Sequence, residues 1–550
     1  MFRSGPVNHN HVIAIQLQDY FHHKVFQEVI DKKQWNRMES RLQKNVDDLL
    51  VFLDKYNIKA TFFTIGWIAE KYPDVIRKVA EKGHEIANAG YWGWNFQELS
   101  PEEFKKDIRL SRQIIEEAGS NKIIGFRSIS HSLNKKDLWI LKVLADEGYA
   151  YDSSYLPSLF HFNMYKDERF MRTYTFNNKS ITEIPLTTFR LGFFNVPIGG
   201  GNYFRQIPYK IMKNLFDRWC QETQSPFNLY VHPWEFDETL PDITAFKKLS
   251  KIRQSRNLGK MKYILPRYFN EGSFNSISTL LNIKLDYPRS GQTIRHSQQH
   301  RHKTGSSARK SATVVIPCYN EQTSLNYLNN NIIELESLAA PSYMLQFLFV
   351  DDCSTDETLK ILNDLFGHRK NCKIIKHTSN KGVAGAIRTG IEAATTDIVC
   401  SMDADCSYDP LELLKMIEML DEKTSMITAS PYHPDGSVFA VPGWRLFLSK
   451  SLSRMYHLLM RNKLYTYTSC FRVYNREAAL KNLNKFNDFR GIVEILAKMD
   501  INGCLIKEYP TTLQSRIFGY SKMKTLKTIF YHLKLLHEIW ALKNKQDYNR

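Results

Sequence analysis

Two carboxylates one residue apart, Asp403 and Asp405 in Ser401-Met-Asp-Ala-Asp-Cys406, are the residues of this 550-residue chain whose spacing most directly suggests chemistry. They close a short apolar run, Asp397-Ile-Val-Cys400, that reads as a buried strand. Carboxylates so placed can share one hard divalent cation, Mg²⁺ or Mn²⁺, whose other positions go to phosphate oxygens and water. A diphosphate-bearing substrate follows from that chemistry. Asp-x-Asp alone arises often by chance. A second acidic strand end upstream, Leu348-Phe-Val-Asp-Asp-Cys-Ser-Thr-Asp356, raises it above that level.

A strand must deliver each acidic pair, with a turn and helix behind it. Such a unit opens at Ala312-Thr-Val-Val-Ile-Pro-Cys-Tyr-Asn-Glu321 and recurs through 345–352, 372–377 and 397–403, a Rossmann-like beginning. Before it, strand-like runs at 11–21, 60–64, 83–89, 123–127, 181–189 and 228–232 alternate with helical stretches, as in a parallel barrel or open α/β sheet. Between the two lies a stretch rich in Arg, His, Ser and Gln that is too poor in aliphatic residues to fold. The expected organisation is therefore a domain at 1–285, a flexible basic linker at 286–311 and a second domain at 312–550. The last 30 residues carry Leu526, Ile529, Phe530, Leu533, Leu536 and Trp540 at helical spacing among lysines. Such a helix packs on its own domain or lies on anionic lipid.

The formal net charge of +18 calls for an anionic partner. No zinc-finger spacing or aromatic RNA-binding signature is present, which argues against nucleic acid. A nucleotide diphosphate or an anionic membrane surface remains. Seven of the eight cysteines fall in the second half, several inside apolar runs. With no leader-like N-terminus, this pattern suggests a reducing cytoplasm. No apolar run approaches the ~18–20 residues that span a bilayer, so the expectation is a soluble protein or one peripheral on the cytoplasmic face of a membrane.

The first half resembles the polysaccharide deacetylases. Ala14-Ile-Gln-Leu-Gln-Asp-Tyr-Phe21, Ala60-Thr-Phe-Phe63, Gly83-His-Glu-Ile-Ala87, Gly125-Phe-Arg127, Tyr151-Asp-Ser-Ser154, Gly199-Gly-Gly-Asn-Tyr-Phe-Arg205 and Tyr230-Val-His-Pro-Trp-Glu235 match that family's landmarks in order. The resemblance implies a distorted (β/α) barrel. It also implies a catalytic base at Gln16 and metal ligands at Asp19, Ala89 and Gly93. Glutamine cannot take a proton from metal-bound water, and alanine and glycine side chains have no donor atom. Asp19, Arg127 and His232 would then remain as a vestigial pocket in a metal-less, inactive domain. Tyr91, Trp92, Trp94 and Trp234 are its candidate glycan contacts, and His84, Glu85 and His131 the only substitute metal ligands in view.

The second half resembles glycosyltransferase family 2, and within it the dolichyl- or polyprenyl-phosphate sugar synthases. The likeness rests on Val314-Val-Ile-Pro-Cys-Tyr-Asn-Glu321, Val350-Asp-Asp-Cys-Ser-Thr-Asp356, Met402-Asp-Ala-Asp405, Asn380-Lys-Gly-Val-Ala-Gly-Ala-Ile-Arg388, Thr468-Ser-Cys-Phe-Arg472 and Arg516-Ile-Phe-Gly-Tyr-Ser-Lys522. It implies a GT-A, Rossmann-like domain with nucleotide-sugar contacts at Pro317, Tyr319, Glu321, Val350, Asp352, Asp403 and Arg472. It places the metal on Asp403 and Asp405, and makes those two, Arg516 and Lys522 catalytic. Three positions depart from the synthases: Pro431 where they have Arg, Ser407 where they have Gln and Tyr520 where they have Glu. They bear on the acceptor and sugar more than on the transfer.

The reading is an inverting glycosyltransferase moving a sugar from a nucleotide-diphosphate donor to a polyprenyl phosphate or glycan acceptor. The barrel would serve binding or scaffolding. A lipid phosphate needs no general base, whereas a hydroxyl acceptor would, and Glu494 is the candidate, read as a helix-surface residue. The alternatives are a bifunctional deacetylase or deformylase with a glycosyltransferase, and a non-catalytic glycan- or lipid-binding scaffold.

Overall fold

The computed structural model describes residues 10–23, 26, 29–93, 96–119, 122–129, 133, 135–157, 169–192, 194–241, 243, 256–285, 309–439, 441, 443–519 and 525–548. The chain forms two compact units. One takes Met1–Gln27, Ser40–Leu240 and Lys247–Ser297; the other takes Glu28–Glu39, Pro241–Phe246 and Gln298–Arg550.

The first unit is built on β1 (Asn10–Leu17), β2 (Thr61–Thr64), β3 (Glu85–Asn88), β4 (Gly125–Phe126), β5 (Tyr151–Asp152), β6 (Arg172–Phe176), β7 (Lys179–Glu183), β8 (Thr188–Leu191), β9 (Phe194–Pro197), β10 (Asn228–Val231) and β11 (Ser273–Asn275). Their order is β10-β1-β2-β3-β4-β5-β7-β6 with β11 also on β1, while β8 and β9 form a separate hairpin. Every pairing in the main sheet is parallel except β6 with β7. Seven of the eight β1 residues are buried. That is why Val12–Ile15 is a continuous apolar run instead of an alternating one. Helix α1 (Leu42–Lys55) turns Leu42, Val46, Leu49, Leu50 and Leu53 inward at helical spacing. This is the distorted barrel, open between β10 and β6 among the described residues.

The second unit is a seven-stranded sheet in the order β14-β13-β12-β15-β18-β16-β19. These strands are β12 (Lys310–Cys318), β13 (Tyr343–Asp351), β14 (Cys372–Lys376), β15 (Ile398–Ser401), β16 (Thr424–Ser430), β18 (Arg472–Asn475) and β19 (Leu505–Pro510). A small ribbon pairs β17 (Ser437–Phe439) with β20 (Thr512–Gln514). The helices that matter below are α2 (Leu325–Ala339), α3 (Val383–Ala393), α4 (Glu412–Glu418), α5 (Gly443–Leu459), α6 (Phe489–Ile501) and α7 (Thr525–Tyr548). Strands β12, β13, β14 and β15 run parallel, and the order reverses at β12, with β13 on one side and β15 on the other. In open α/β sheets, ligands bind outside the carboxyl ends of strands at such a reversal. Both acidic strand ends lie there.

Candidate active site

Register brings the acidic ends together. Pro317 lies opposite Val350 and Cys318 opposite Asp351 across β12 and β13, while Val315 faces Ser401 of β15. Met402 N then donates to Val315 O, so the Asp403–Asp405 turn leaves the sheet beside the end of β12. Cys406 closes that turn in the left-handed region at φ 53° and is buried. Asp405 is buried as well; its Oδ1 accepts from Ser407 N at 2.9 Å and its Oδ2 is ion-paired to Arg516 Nε. Arg516 Nη1 lies 3.5 Å from Glu321 Oε1, and Glu321 Oε2 accepts from Ser324 Oγ at 3.1 Å. Glycine suits the end of this loop, where Gly519 has φ 73°.

The electrostatics are those of a crowded acidic site. Burial, with the Asp405 charge beside it, pushes the Asp403 carboxyl up to about 7, and Arg516 pulls the other way. Burial works against the Arg516 charge, but Asp405, Glu321 and Asp403 outweigh it and hold the guanidinium above its ordinary value. A carboxyl so reluctant to ionise is one whose charge a cation would relieve. The donor set therefore fits Mg²⁺ or Mn²⁺. Among the described residues no cluster of three His, Cys, Asp or Glu side chains is preassembled. Two protein carboxylates are what a cation shared with a diphosphate needs.

Other expected residues take different places. Val350 is core, and Tyr319 is exposed at the end of the β12 turn. Asp352 spends its carboxylate on the neighbouring loop: Oδ1 pairs with His377 Nδ1 at 2.7 Å and accepts from Lys381 N at 2.7 Å, and Oδ2 accepts from Gly382 N at 2.7 Å. The preceding Asp351 is the one with an open, buried oxygen, Oδ2. His377, which the motifs did not single out, bridges Asp352 and Thr389 Oγ1 (3.0 Å). Its one signal is its place at the end of an apolar run.

Arg472 is a correction. Its guanidinium is wholly buried on β18 and donates to Thr428 Oγ1, Ile492 O and Tyr467 O at 3.3, 2.6 and 2.8 Å. It ties strands to α6 and has no face for a phosphate. Glu494 is likewise no surface residue: it is buried, accepts from Lys485 N and Phe486 N, and pairs with Lys498 at 2.8 Å. Lys522 and Tyr520 lie outside the described residues.

In the first unit the carboxyl ends of β1, β3, β4 and β10 carry Asp19, Ala89, Arg127 and His232. Asp19, the remaining candidate ligand, is spent. Its Oδ2 accepts from Ser40 Oγ, Arg41 N and Leu42 N at 2.7, 2.8 and 3.1 Å, capping α1, and its Oδ1 accepts from Tyr20 N at 2.9 Å. Burial pushes its carboxyl up to about 6 even so. Gln16 is buried on β1. His232 Nδ1 sits 3.4 Å from Glu235 Oε2, and although burial opposes it, Arg205 and His232 pull the Glu235 carboxyl down to about 2. Arg127 is buried between the rings of Tyr230 and Phe63, 4.7 and 5.3 Å from their centres, and burial pushes it down to about 10. Two of the substitute ligands, His84 and Glu85, are engaged in the sheet. His84 Nδ1 accepts from Ala60 N, and Glu85 accepts from Thr61 Oγ1, Tyr151 Oη and Ser278 N, so both hold strands together. Of the aromatic candidates Trp234 is buried, Tyr91 Oη donates to Glu70, and Trp94 lies outside the described residues, as does the third substitute ligand, His131.

Comparison with known proteins gives matches for both halves of the chain. Residues 313–483 match the model for glycosyl transferase family 2, residues 34–150 that for polysaccharide deacetylase, and residues 153–282 a domain of unknown function (DUF3473). The chain is 28% identical over 217 residues to a polyprenol monophosphomannose synthase of Mycolicibacterium smegmatis, covering 38% of this chain and 80% of that protein. It is 28% identical over 238 residues to a dolichol-phosphate mannosyltransferase of Pyrococcus furiosus, covering 43% of this chain and 65% of that one. A solved Mycobacterium smegmatis protein described as a polysaccharide deacetylase shares 16% identity at a TM-score of 0.36, over 53% of this chain and 97% of its own. The chain thus joins a polysaccharide deacetylase domain to a glycosyltransferase family 2 domain, and by the latter it is a glycosyltransferase.

Proposed function

We propose that the second unit transfers a sugar, with inversion, from a nucleotide-diphosphate donor to a polyprenyl phosphate at a membrane surface, while the barrel carries no deacetylase chemistry. The observation that carries the transfer is the Asp403–Asp405 pair at the end of β15 with Arg516 held beside it. The two carboxylates would hold Mg²⁺ or Mn²⁺, which when bound supplies positive charge against the diphosphate. Arg516, kept in place by Asp405 and Glu321, offers a planar guanidinium to the same phosphates. The names of the mannosyl-transferring relatives support a lipid phosphate acceptor. So does the burial of Glu494, because an acceptor that is already anionic needs no base.

Membrane contact is supported by two helices. Among the described residues no helix is long and apolar enough to cross a membrane. Yet α5 exposes Trp444, Phe447 (70%), Met455 and Leu458 (78%) along one stripe with Lys450 and Arg454. The stripe Phe530 (66%), Leu533, Lys534, His537 and Trp540 does the same on α7. The helices are tied by Tyr456 Oη to His532 Nδ1 (3.0 Å) and by Lys543 Nζ to Leu459 O (2.9 Å). Exposed aromatic and basic residues on one face suit anionic lipid.

For the barrel, the supporting observation is the commitment of Asp19 to α1 together with Ala89 and Gly93 at the ligand positions. The test is to incubate the full chain with labelled nucleotide sugars, Mn²⁺ and vesicles containing polyprenyl phosphate. Asp403→Ala and Asp405→Ala should each abolish lipid-linked product, and Asp405→Asn, which keeps an acceptor for Ser407 N, should do so as well. Full turnover in any of these variants rules out the mechanism. Product on an added glycan but not on lipid moves the acceptor assignment.

A further inference from the structure

A short early segment, Glu28–Glu39, clusters with the transferase unit and not with the residues that flank it in sequence. Its centre is a 3-10 turn, Lys32–Arg37, capped by Asp31, with Lys33 N donating to Asp31 Oδ1 (2.9 Å) and Asp31 N to Gln34 Oε1 (2.8 Å). Capping uses only the carbonyl oxygen of Gln34. Its amide nitrogen is left to donate to Tyr327 Oη at 3.0 Å and Gln514 Oε1 at 2.7 Å. Arg37, 4% exposed, donates from Nε to Glu334 Oε2 (2.7 Å) and from Nη1 to Asp409 Oδ1 (2.9 Å). Its carbonyl accepts from Asn330 Nδ2 at 3.0 Å, and Glu39 accepts from Asn326 Nδ2 at 2.9 Å.

These contacts reach three pieces of the site. Tyr327, Asn330 and Glu334 lie on α2, Asp409 ends the turn that begins at the acidic pair, and Gln514 lies on β20 two residues before Arg516. The last two pieces also touch, since Gln514 N donates to Ser407 O at 2.9 Å. We propose that Gln34 and Arg37 are positioning residues of the transferase site, clamping the Asp405–Asp409 turn and the Gln514–Arg516 loop so that Arg516 stays on Asp405. The clamp rests on the functional reading above for its consequence, but its geometry stands apart from it. Without Arg37 the carboxylates of Glu334 and Asp409, each about a third exposed, would lose the buried guanidinium that holds α2 to the Asp405–Asp409 turn. Trp35 and Met38, both buried, anchor the turn that presents the two side chains. Small displacements of charged groups at such a site weaken it steeply.

The test uses the full chain as wild type, Gln34→Ala, Arg37→Ala, Arg37→Lys and, as a control on the exposed side of the same turn, Lys33→Ala. Calorimetric binding of UDP and GDP is measured across Mn²⁺ concentrations, with hydrogen exchange followed over 405–410 and 514–516. Arg37→Ala and Gln34→Ala are expected to raise the half-saturating Mn²⁺ and the nucleotide dissociation constant about tenfold. Arg37→Lys should recover part of the loss, and Lys33→Ala should match wild type. Exchange in both loops should quicken in the two alanine variants with the rest of the unit protected. Unchanged binding in Arg37→Ala and Gln34→Ala overturns the clamp, as does loss of protection across the whole unit with no rescue by lysine. If wild type binds neither nucleotide with Mn²⁺, the functional reading falls, and loop exchange alone decides the clamp: quickened supports it, unchanged overturns it.

Discussion

Arg472 and Arg516 carry the same charge on neighbouring motifs, and burial separates their roles. Arg516 keeps its guanidinium among Asp405, Glu321 and Asp403, where a phosphate can exchange for a carboxylate. Arg472 has all its directed bonds inside the core. Lysine at 472 would keep the charge but lose the fork, leaving carbonyls of Ile492 or Tyr467 unsatisfied, at about 1–3 kcal/mol each. Arg472→Lys should therefore lower unfolding free energy by roughly 2–4 kcal/mol, read from denaturant titration. Nucleotide affinity of the folded fraction should not change. A lost affinity at full stability would return Arg472 to the site.

At the level of elements, close packing does what side chains cannot. Helix α3 begins after Gly382, held at φ 76°, and lies so close to β12 that a Cβ on Gly390 would fall 2.1 Å from Val315 Cγ1. Val315 lies opposite Ser401, the last residue of the strand that carries the acidic pair. Gly390→Ala should cost about 1–3 kcal/mol through overpacking, seen as a lower urea midpoint. The exposed stripes of α5 and α7 give a second expectation. Replacing Trp444, Phe447 and Phe530 by Ser should cut sedimentation with anionic vesicles several-fold and leave melting close to wild type, because each of these side chains is more than half exposed. Equal binding by the triple variant would remove the helices from the membrane reading.

For the molecule as a whole, both units bury neutral histidines. Burial pushes His532 and His84 down to about 4 and His22 down to about 3. Below their ordinary value of 6.5 the unfolded chain takes protons that the native chain refuses, so the native state loses stability as pH falls from 6.5 towards 4. For His532 the fall from 6.5 to about 4 corresponds to roughly 3 kcal/mol at full effect. Melting should drop between pH 7.5 and 5.0, and His532→Gln should flatten that slope even though it also gives up the bond to Tyr456. A slope unchanged by the substitution would assign the acid sensitivity elsewhere.

Local order in the chain was enough to locate the acidic strand ends, because an apolar run stopped by carboxylates has one reading in a parallel sheet. That positions 89 and 93 offer no side-chain donor was equally plain, since alanine and glycine lack one in any fold. Tertiary structure alone decided that Asp352 serves its own loop while Asp351 keeps an open oxygen, since the two are adjacent and chemically alike and differ only in which neighbours reach them. It alone spent Asp19 on capping α1, a contact between residues more than 20 positions apart. It also carried Gln34 and Arg37 to the transferase unit, almost 300 residues from their partners Tyr327 and Glu334. Motif spacing reports chemistry held within one strand and turn. Who pairs with a buried charge is settled only when distant elements close around it, because a charge taken out of water is costly unless a neighbour pairs with it.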